Sequence, residues 1–404
     1  MPTAFTAGRL GDKIRSDCWV ELILKQSGGI LIELESKVES MYGDSTRELC
    51  KEVLSSLKIE NASINVIDYG ALPFTIAARI ETAARRAGLT GYSYLPELKP
   101  FSHYTTKKDR FRRSRLYIPG NDPKYMINAG LHKPDAIILD LEDSVAPPEK
   151  DAACALVRNA LRHVNFYGSE RMVRINQGEL GLKDLEWIIP HNVHVVLIPK
   201  VEDPSQVTAV DERIAEIKSR EKIEAKTFLM PIIESALGGI KAYEIASASP
   251  NISALALGLE DYTADIGVQR TLEGRESFWL RSVIVNAARA ARVQPIDTVF
   301  TDVADMVGLR ESVIEAKSLG FDGKGCIHPR QIPVVHEAFA PTALEISKAK
   351  KIVIAFENAE RKGLGVVSLG SKMIDPPVVK RALNTINMAE SLGILTQNWR
   401  GESR

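Results

Sequence analysis

The chain has 404 residues, enough for two or three domains, and its 45% hydrophobic content can fill sizeable cores. Lys and Arg together number 52, as do Asp and Glu, so the formal net charge is zero and nothing draws the whole chain towards nucleic acid or an acidic membrane. No apolar run approaches membrane-spanning length, MPTAFTAGRLGDKIRSD lacks a signal-peptide core, and Cys18, Cys50, Cys154 and Cys326 are scattered without metal-finger spacing, as expected of reduced thiols in a cytoplasmic protein.

Residues 1–88 read as a small α+β module. WVELILK and ILIELES alternate apolar and polar residues, and the Gln26-Ser27-Gly28-Gly29 segment between them is a hairpin signal. A helix-period run, TRELCKEVLSSLKI, is followed by a strand, ASINVIDYG, and a second helix, PFTIAARIETAARRAG, with Pro73 at its start and Gly88 past its end. Ahead of the first of these strands stands Arg15-Ser16-Asp17, by composition a turn with a local side-chain hydrogen bond. This module resembles the gamma subunit of citrate lyase, the acyl carrier protein. The resemblance implies that Ser16 carries a covalent 2'-(5''-phosphoribosyl)-3'-dephospho-coenzyme A arm through a phosphodiester.

Residues 89–112 show no period and read as a linker. Their basic end, running through Lys107, Lys108, Arg110, Arg112 and on to Arg113, would either meet the phosphates of such an arm or, with the greater weight, form a solvated charge run.

From residue 113 to 340 a regular pattern sets in. Strand-like runs appear at RLYIP, DAIILDLE, RMVRIN, HVVLIPK, TFLMPIIE, ALALGLED, PIDTVF and GKGCIH, most of them separated by amphipathic helix candidates. Eight such runs predict an α/β fold, a (β/α)8 TIM barrel, with polar residues at the strands' carboxyl ends converging on one mouth. Those residues are Asp140, Glu142 and Asp143, Arg174 and Asn176, Lys200, Glu234, Asp261 and His328. In FLMPII and ALALGL the apolar run breaks off into acid, at Glu234 and at Glu260-Asp261. Two carboxylates on adjacent strands suffice for Mg2+, which keeps most of its waters, although acids there also serve as helix caps. Neither a GxGxxG fingerprint nor a P-loop is present.

RRSRLYIPG, ILDLEDSV, VRIN, IPKVE, PIIES, GLEDYTADIG and GFDGKGCIHPRQI resemble, in order, the beta subunit of citrate lyase, within the wider family of Mg2+-dependent aldolases and lyases. The resemblance implies that Glu234 and Asp261 bind Mg2+, with Glu234 also beside the substrate. Arg174 would clamp a substrate carboxylate, the alternative being a structural ion pair. Asp140, Glu142 and Asp143 would orient waters on the metal, and Glu142 and Asp143 are taken as catalytic. Lys200 would touch substrate or pair with these acids, and His328 would be a buried histidine in a turn. Residues 341–404 predict a C-terminal helical extension, a lid, in which Asp375 of GSKMIDPP falls where related lyases place an acid that protonates the enolate in a neighbouring subunit. By composition Asp375 is a helix N-cap before Pro376-Pro377.

The whole therefore reads as a carrier–lyase fusion that cleaves citryl-ACP to oxaloacetate and acetyl-ACP. Its expected partners are a citrate lyase alpha subunit that loads citrate, a citryl thioester as substrate, and further copies of itself in a homo-oligomer. Citramalyl-ACP cleavage, a lyase or thioesterase on free coenzyme A thioesters, and a non-catalytic carrier scaffold are the rival readings.

Overall fold

The structure is a computed structural model and describes residues 3–361, 363, 367–369 and 372–400. They fall into two compact units, one up to Ile332 and one from Pro333 onward. Among the described residues no helix is long and apolar enough to cross a membrane.

The first unit opens with β1 (Ala4–Gly8), β2 (Cys18–Leu24), β3 (Ile30–Ser36) and β4 (Ala62–Asp68), in the sheet order β1-β2-β4-β3. The hairpin expected between β2 and β3 does not form. β4 lies between them, antiparallel to β2 and parallel to β3. The glycine turn does reverse the chain, with Gly28 and Gly29 at φ +103 and +72, but burial selects the central strand. β4 buries Ala62, Ile64 and Val66 completely, whereas β3 has no buried residue and suits an edge. The parallel β3–β4 pair needs a crossover, supplied by helix Glu39–Ser56. Helix Pro73–Arg86 covers the sheet. β1 carries no readable period in MPTAFTAGRL and was not anticipated.

All eight anticipated barrel strands are present: β5 (Ser114–Pro119), β6 (Ala136–Asp140), β7 (Glu170–Arg174), β8 (Val195–Ile198), β9 (Phe228–Ile233), β10 (Ala254–Leu257), β11 (Gln294–Val299) and β12 (Gly323–Cys326). Each pairs in parallel with the next, and β12 pairs with β5 to close the barrel. The amphipathic segment after β9 is two short helices, Ala236–Ile240 and Ala242–Ala246, rather than one.

The basic end of residues 89–112 is a solvated run only in part: Lys107 and Lys108 are exposed, but the arginines that follow are not. Arg112 is fully buried and bidentate on Glu170, the first residue of β7, at 2.7 and 2.8 Å. Arg113 grips Asp135, just before β6, with two side-chain bonds of 2.9 Å. Both lie at the amino ends of the strands, opposite the mouth, where they seal the barrel floor. Pairing each guanidinium with a carboxylate in two hydrogen bonds is what makes such burial tolerable.

The second unit contains helix Ala343–Glu360, opened by a Thr342/Glu345 capping box, and helix Pro376–Ser391. Ala349, Val353, Ala382, Ile386 and Trp399 form its core. Of the GVVSLGSKMIDPPVV stretch, residues 365–366 and 370–371 lie outside the described residues.

Candidate active site

Strand parity decides which side chains reach the mouth. Ile138 on β6, Met172 on β7, Ile232 on β9, Ala256 on β10 and Ile296 on β11 fill the barrel interior. Alternate strand residues share a face, so the next inward positions are Asp140, Arg174, Glu234, Gly258 and Thr298.

Arg174 holds Asp140 in a two-pronged pair, Nε to Oδ1 and Nη2 to Oδ2, each 2.7 Å, and its Nη1 lies 2.9 Å from Glu142 Oε2. Its guanidinium also lies over the Tyr117 ring, 5.5 Å from the centroid. Asp140 further accepts the backbone N–H groups of Glu142 and Ser144, which folds the loop after β6 back over the mouth. Burial alone would raise the Asp140 carboxyl, but Arg174 and these N–H donors outweigh it and hold it below the usual range. The ion-pair alternative for Arg174 is thus realised in geometry.

Glu234 is buried, and its Oε2 accepts the backbone N–H of Lys200 at 3.1 Å. Lys200, at φ +49, is a non-glycine residue in left-handed backbone beside the acids. Burial, then the neighbouring charges of Asp261 and Glu142, push Glu234 up to about 8. Glu142 is likewise raised, chiefly by burial. Burial would lower the pKa of Lys200, but its ammonium stands 3.4–3.5 Å from Glu142, Asp143 and Asp261, whose charges together outweigh that and leave it raised. Of the two acids after β10, Asp261 faces this cluster while Glu260 turns away to Arg270 at 2.6 Å. Both sit in the first turn of helix Leu259–Asp265, so the capping position itself is Gly258. A Cβ at Gly258 would lie 2.4 Å from Glu234 Oε1, so the missing side chain is what leaves room for the carboxylate.

Among the described residues no group of three or more His, Cys, Asp or Glu is arranged to hold a metal. Two carboxylates of the hard-oxygen type, one of them buried and short of positive partners, nevertheless fit a cation that retains its waters. Structural Zn2+, which wants a closed set of four, does not fit.

Other anticipated residues lie elsewhere. His328 is half-buried rather than buried, and its Nδ1 accepts the N–H of Arg330 at 3.1 Å. Ser16, at φ +58, stands in the bend before β2, half-exposed, its hydroxyl in no hydrogen bond among the described residues. Asp375 lies in the second unit, capping helix Pro376–Ser391 through the N–H of Val378 at 3.1 Å. Reading the sequence missed Gln177, which donates to Glu142 at 2.8 Å, and Lys150, whose ammonium reaches the Leu141 and Glu142 carbonyls at 3.0 and 2.9 Å. It missed Tyr117 as well, although Tyr117 is two residues before Pro119 and so shares its face.

Compared with protein-family models, residues 113–329 match HpcH/HpaI aldolase/citrate lyase. The chain belongs to this family. It is accordingly a carbon–carbon lyase. Residues 6–87 match a second model, described as malonate decarboxylase delta subunit (MdcD). Citrate lyase subunit beta of Haemophilus influenzae is 42% identical over 285 residues, 70% of this chain and 98% of that protein. Mitochondrial citramalyl-CoA lyase of Homo sapiens is 33% identical, over 70% of this chain and 86% of its own length. The crystal structure of CitE from Mycobacterium tuberculosis, in complex with magnesium, acetoacetate and coenzyme A, is 29% identical with a TM-score of 0.57, covering 70% of this chain and 99% of that one.

Proposed function

We propose that the protein is a citrate lyase gamma–beta fusion, in which a coenzyme A-like arm on Ser16 presents a citryl thioester to the barrel for cleavage into oxaloacetate and acetyl thioester. The observation that carries this reading is the convergence of Glu234 and Asp261 beside Arg174 at the mouth of a citrate lyase-family barrel, in a chain whose residues 6–87 match a carrier-type module.

Glu234 and Asp261 would hold Mg2+, which supplies Lewis acidity at the tertiary hydroxyl oxygen of the substrate. The Nη1 edge of Arg174, facing Glu142 rather than Asp140, orients a substrate carboxylate. Glu142 and Asp143 hold waters and the hydroxyl proton, steadied by Lys200, Gln177 and Lys150. Asp375 is assigned as the acid that returns a proton to carbon, on its motif alone, with Ser371 standing at the motif's glycine. If Asp375 reaches the active site of a neighbouring subunit, the helical extension of residues 341–404 that carries it would act there as a lid that excludes water.

A separate acyl transferase of the alpha type loads the arm. Ile240, Tyr243 and Trp279 are exposed large apolar residues that line one open groove, which supports assembly into a homo-oligomer.

Product analysis tests the reading. Citryl thioester with Mg2+ should give oxaloacetate, abolished by EDTA or Glu234→Gln. Pyruvate formed in preference from citramalyl thioester would move the substrate to the rival lyase, and free citrate or citramalate with no keto acid would identify a thioesterase.

A further inference from the structure

A carrier that swings on a tether needs a module that lets go of the enzyme. Here the module helix Pro73–Arg86 is buried all round, every residue from Phe74 to Ala84, including the charged Arg79 and Glu81. Ile76, Ala77, Ile80, Ala83 and Ala84 pack into the module's own core. Its other face meets helix Lys150–His163, which follows β6 in the barrel and is itself buried from Ala152 to Leu161. Glu81 takes two bonds from Arg158, at 3.0 and 2.6 Å, with both side chains nearly inaccessible. Asn159 donates to the Phe74 carbonyl at 3.0 Å, and at the far end Arg86 grips Asp151 at 2.9 and 2.8 Å. Separating these surfaces would break the Glu81–Arg158 pair and open to water two helix faces that are buried along nearly their whole length.

The serine end is tied down in the same way, and towards the mouth. Asp17, next to Ser16, is buried and bidentate on Arg79 at 2.9 and 2.8 Å. Arg79 reaches on to the Asn121 carbonyl at 3.0 Å, and Arg9 to Asp122 at 2.8 Å. Asn121 and Asp122 follow β5 at its carboxyl end, where the N–H of Gly120 donates to the Asp140 carbonyl at 2.8 Å. Asp140 in turn holds Arg174. A short run of direct contacts therefore leads from the Ser16 turn to the active-site arginine.

We propose that the N-terminal module is a fixed wall of its own barrel rather than a mobile carrier, and that the Asp17–Arg79–Asn121 tie holds Ser16 at the mouth so that its arm serves the Glu234–Asp261 site of the same chain. The assignment rests on Ser16 being the arm's attachment point. It implies that only the arm moves, and that the loading enzyme comes to it.

Two measurements test this. In the full-length, unmodified chain, the Glu81 carboxylate, covered by Arg158 of the barrel, should resist carbodiimide labelling as fully as the buried Glu170. Labelling of Glu81 in the native protein at least about a hundredfold faster than that of Glu170 would show undocking and overturn the proposal. In mixed oligomers, Ser16→Gly chains, which keep φ +58 unstrained, are combined with Glu234→Gln chains in the presence of the loading partner. Action within one chain predicts no more keto acid than the two variants release separately, whereas recovered activity would show action between chains and refute it. A Ser16→Gly protein as active as wild type would instead remove the carrier premise, a result distinct from recovery in the mixture.

Discussion

Gly258 offers the sharpest perturbation of the proposed metal site. Its backbone, at φ −119 and ψ 115, suits any residue, so Gly258→Ala introduces no strain of its own. The added Cβ would meet Glu234 Oε1 at 2.4 Å, Cγ at 2.9 Å and Cδ at 3.0 Å, and nothing else as close. A side chain can yield where a backbone cannot, so the fold survives and the carboxylate moves. Overpacking of this kind costs about 1–3 kcal/mol, and falling on the bound geometry that is about tenfold to a hundredfold in affinity. Calorimetric titration with Mg2+ should therefore show weaker binding by that factor, with a thermal midpoint close to wild type. Wild-type Mg2+ affinity in Gly258→Ala would refute the argument that Glu234 is a ligand seated by the missing side chain.

Mg2+ affinity should rise with pH and level off near 8, since the cation must displace the proton that burial keeps on Glu234; isothermal titrations at several pH values read this, and a flat profile would contradict it. In EDTA the same group makes stability fall with rising pH. Its contribution is complete below the unfolded value of about 4.3 and is lost as pH climbs through about 8, because the folded state keeps a proton that the unfolded chain has released. Glu234→Gln should flatten that slope in denaturant melts. Glu81→Ala should destabilise the first unit by about 3–5 kcal/mol by stranding Arg158, while replacing both residues by leucine should recover most of the loss; equal losses in single and double variants would show that the pair is not the cause. Ile240→Glu with Trp279→Asp should shift sedimentation towards monomer if the exposed apolar groove joins subunits.

The barrel was legible because each strand announces itself as a short apolar run closed by polar residues, and Glu234 stands out because its carboxylate ends the most apolar of them. What the sequence left open was direction. DLED offers three acids in four residues, and only the packed interior, with Ile138 inward, shows Asp140 turned in and Asp143 left half in water. The β2–β3 turn had the right chemistry for reversal but said nothing about β4 arriving later to part the strands. Arg112 and Arg113 looked like a solvated run because their partners, Glu170 and Asp135, are distant in sequence. The docking of the module was hidden for the same reason. Arg79 and Glu81 sit two apart in a helix that reads as ordinary, and their acid and base partners lie 62 and 77 residues away.

The central claim is that one chain carries both the arm and the barrel that acts on it. Intact mass of the protein from its native host, followed by mapping of the peptide that contains Ser16, tests it most directly. A phosphoribosyl-dephospho-coenzyme A adduct on Ser16 is the predicted result. An unmodified Ser16 in catalytically active protein would contradict the account and leave the barrel as a lyase or thioesterase on free coenzyme A thioesters.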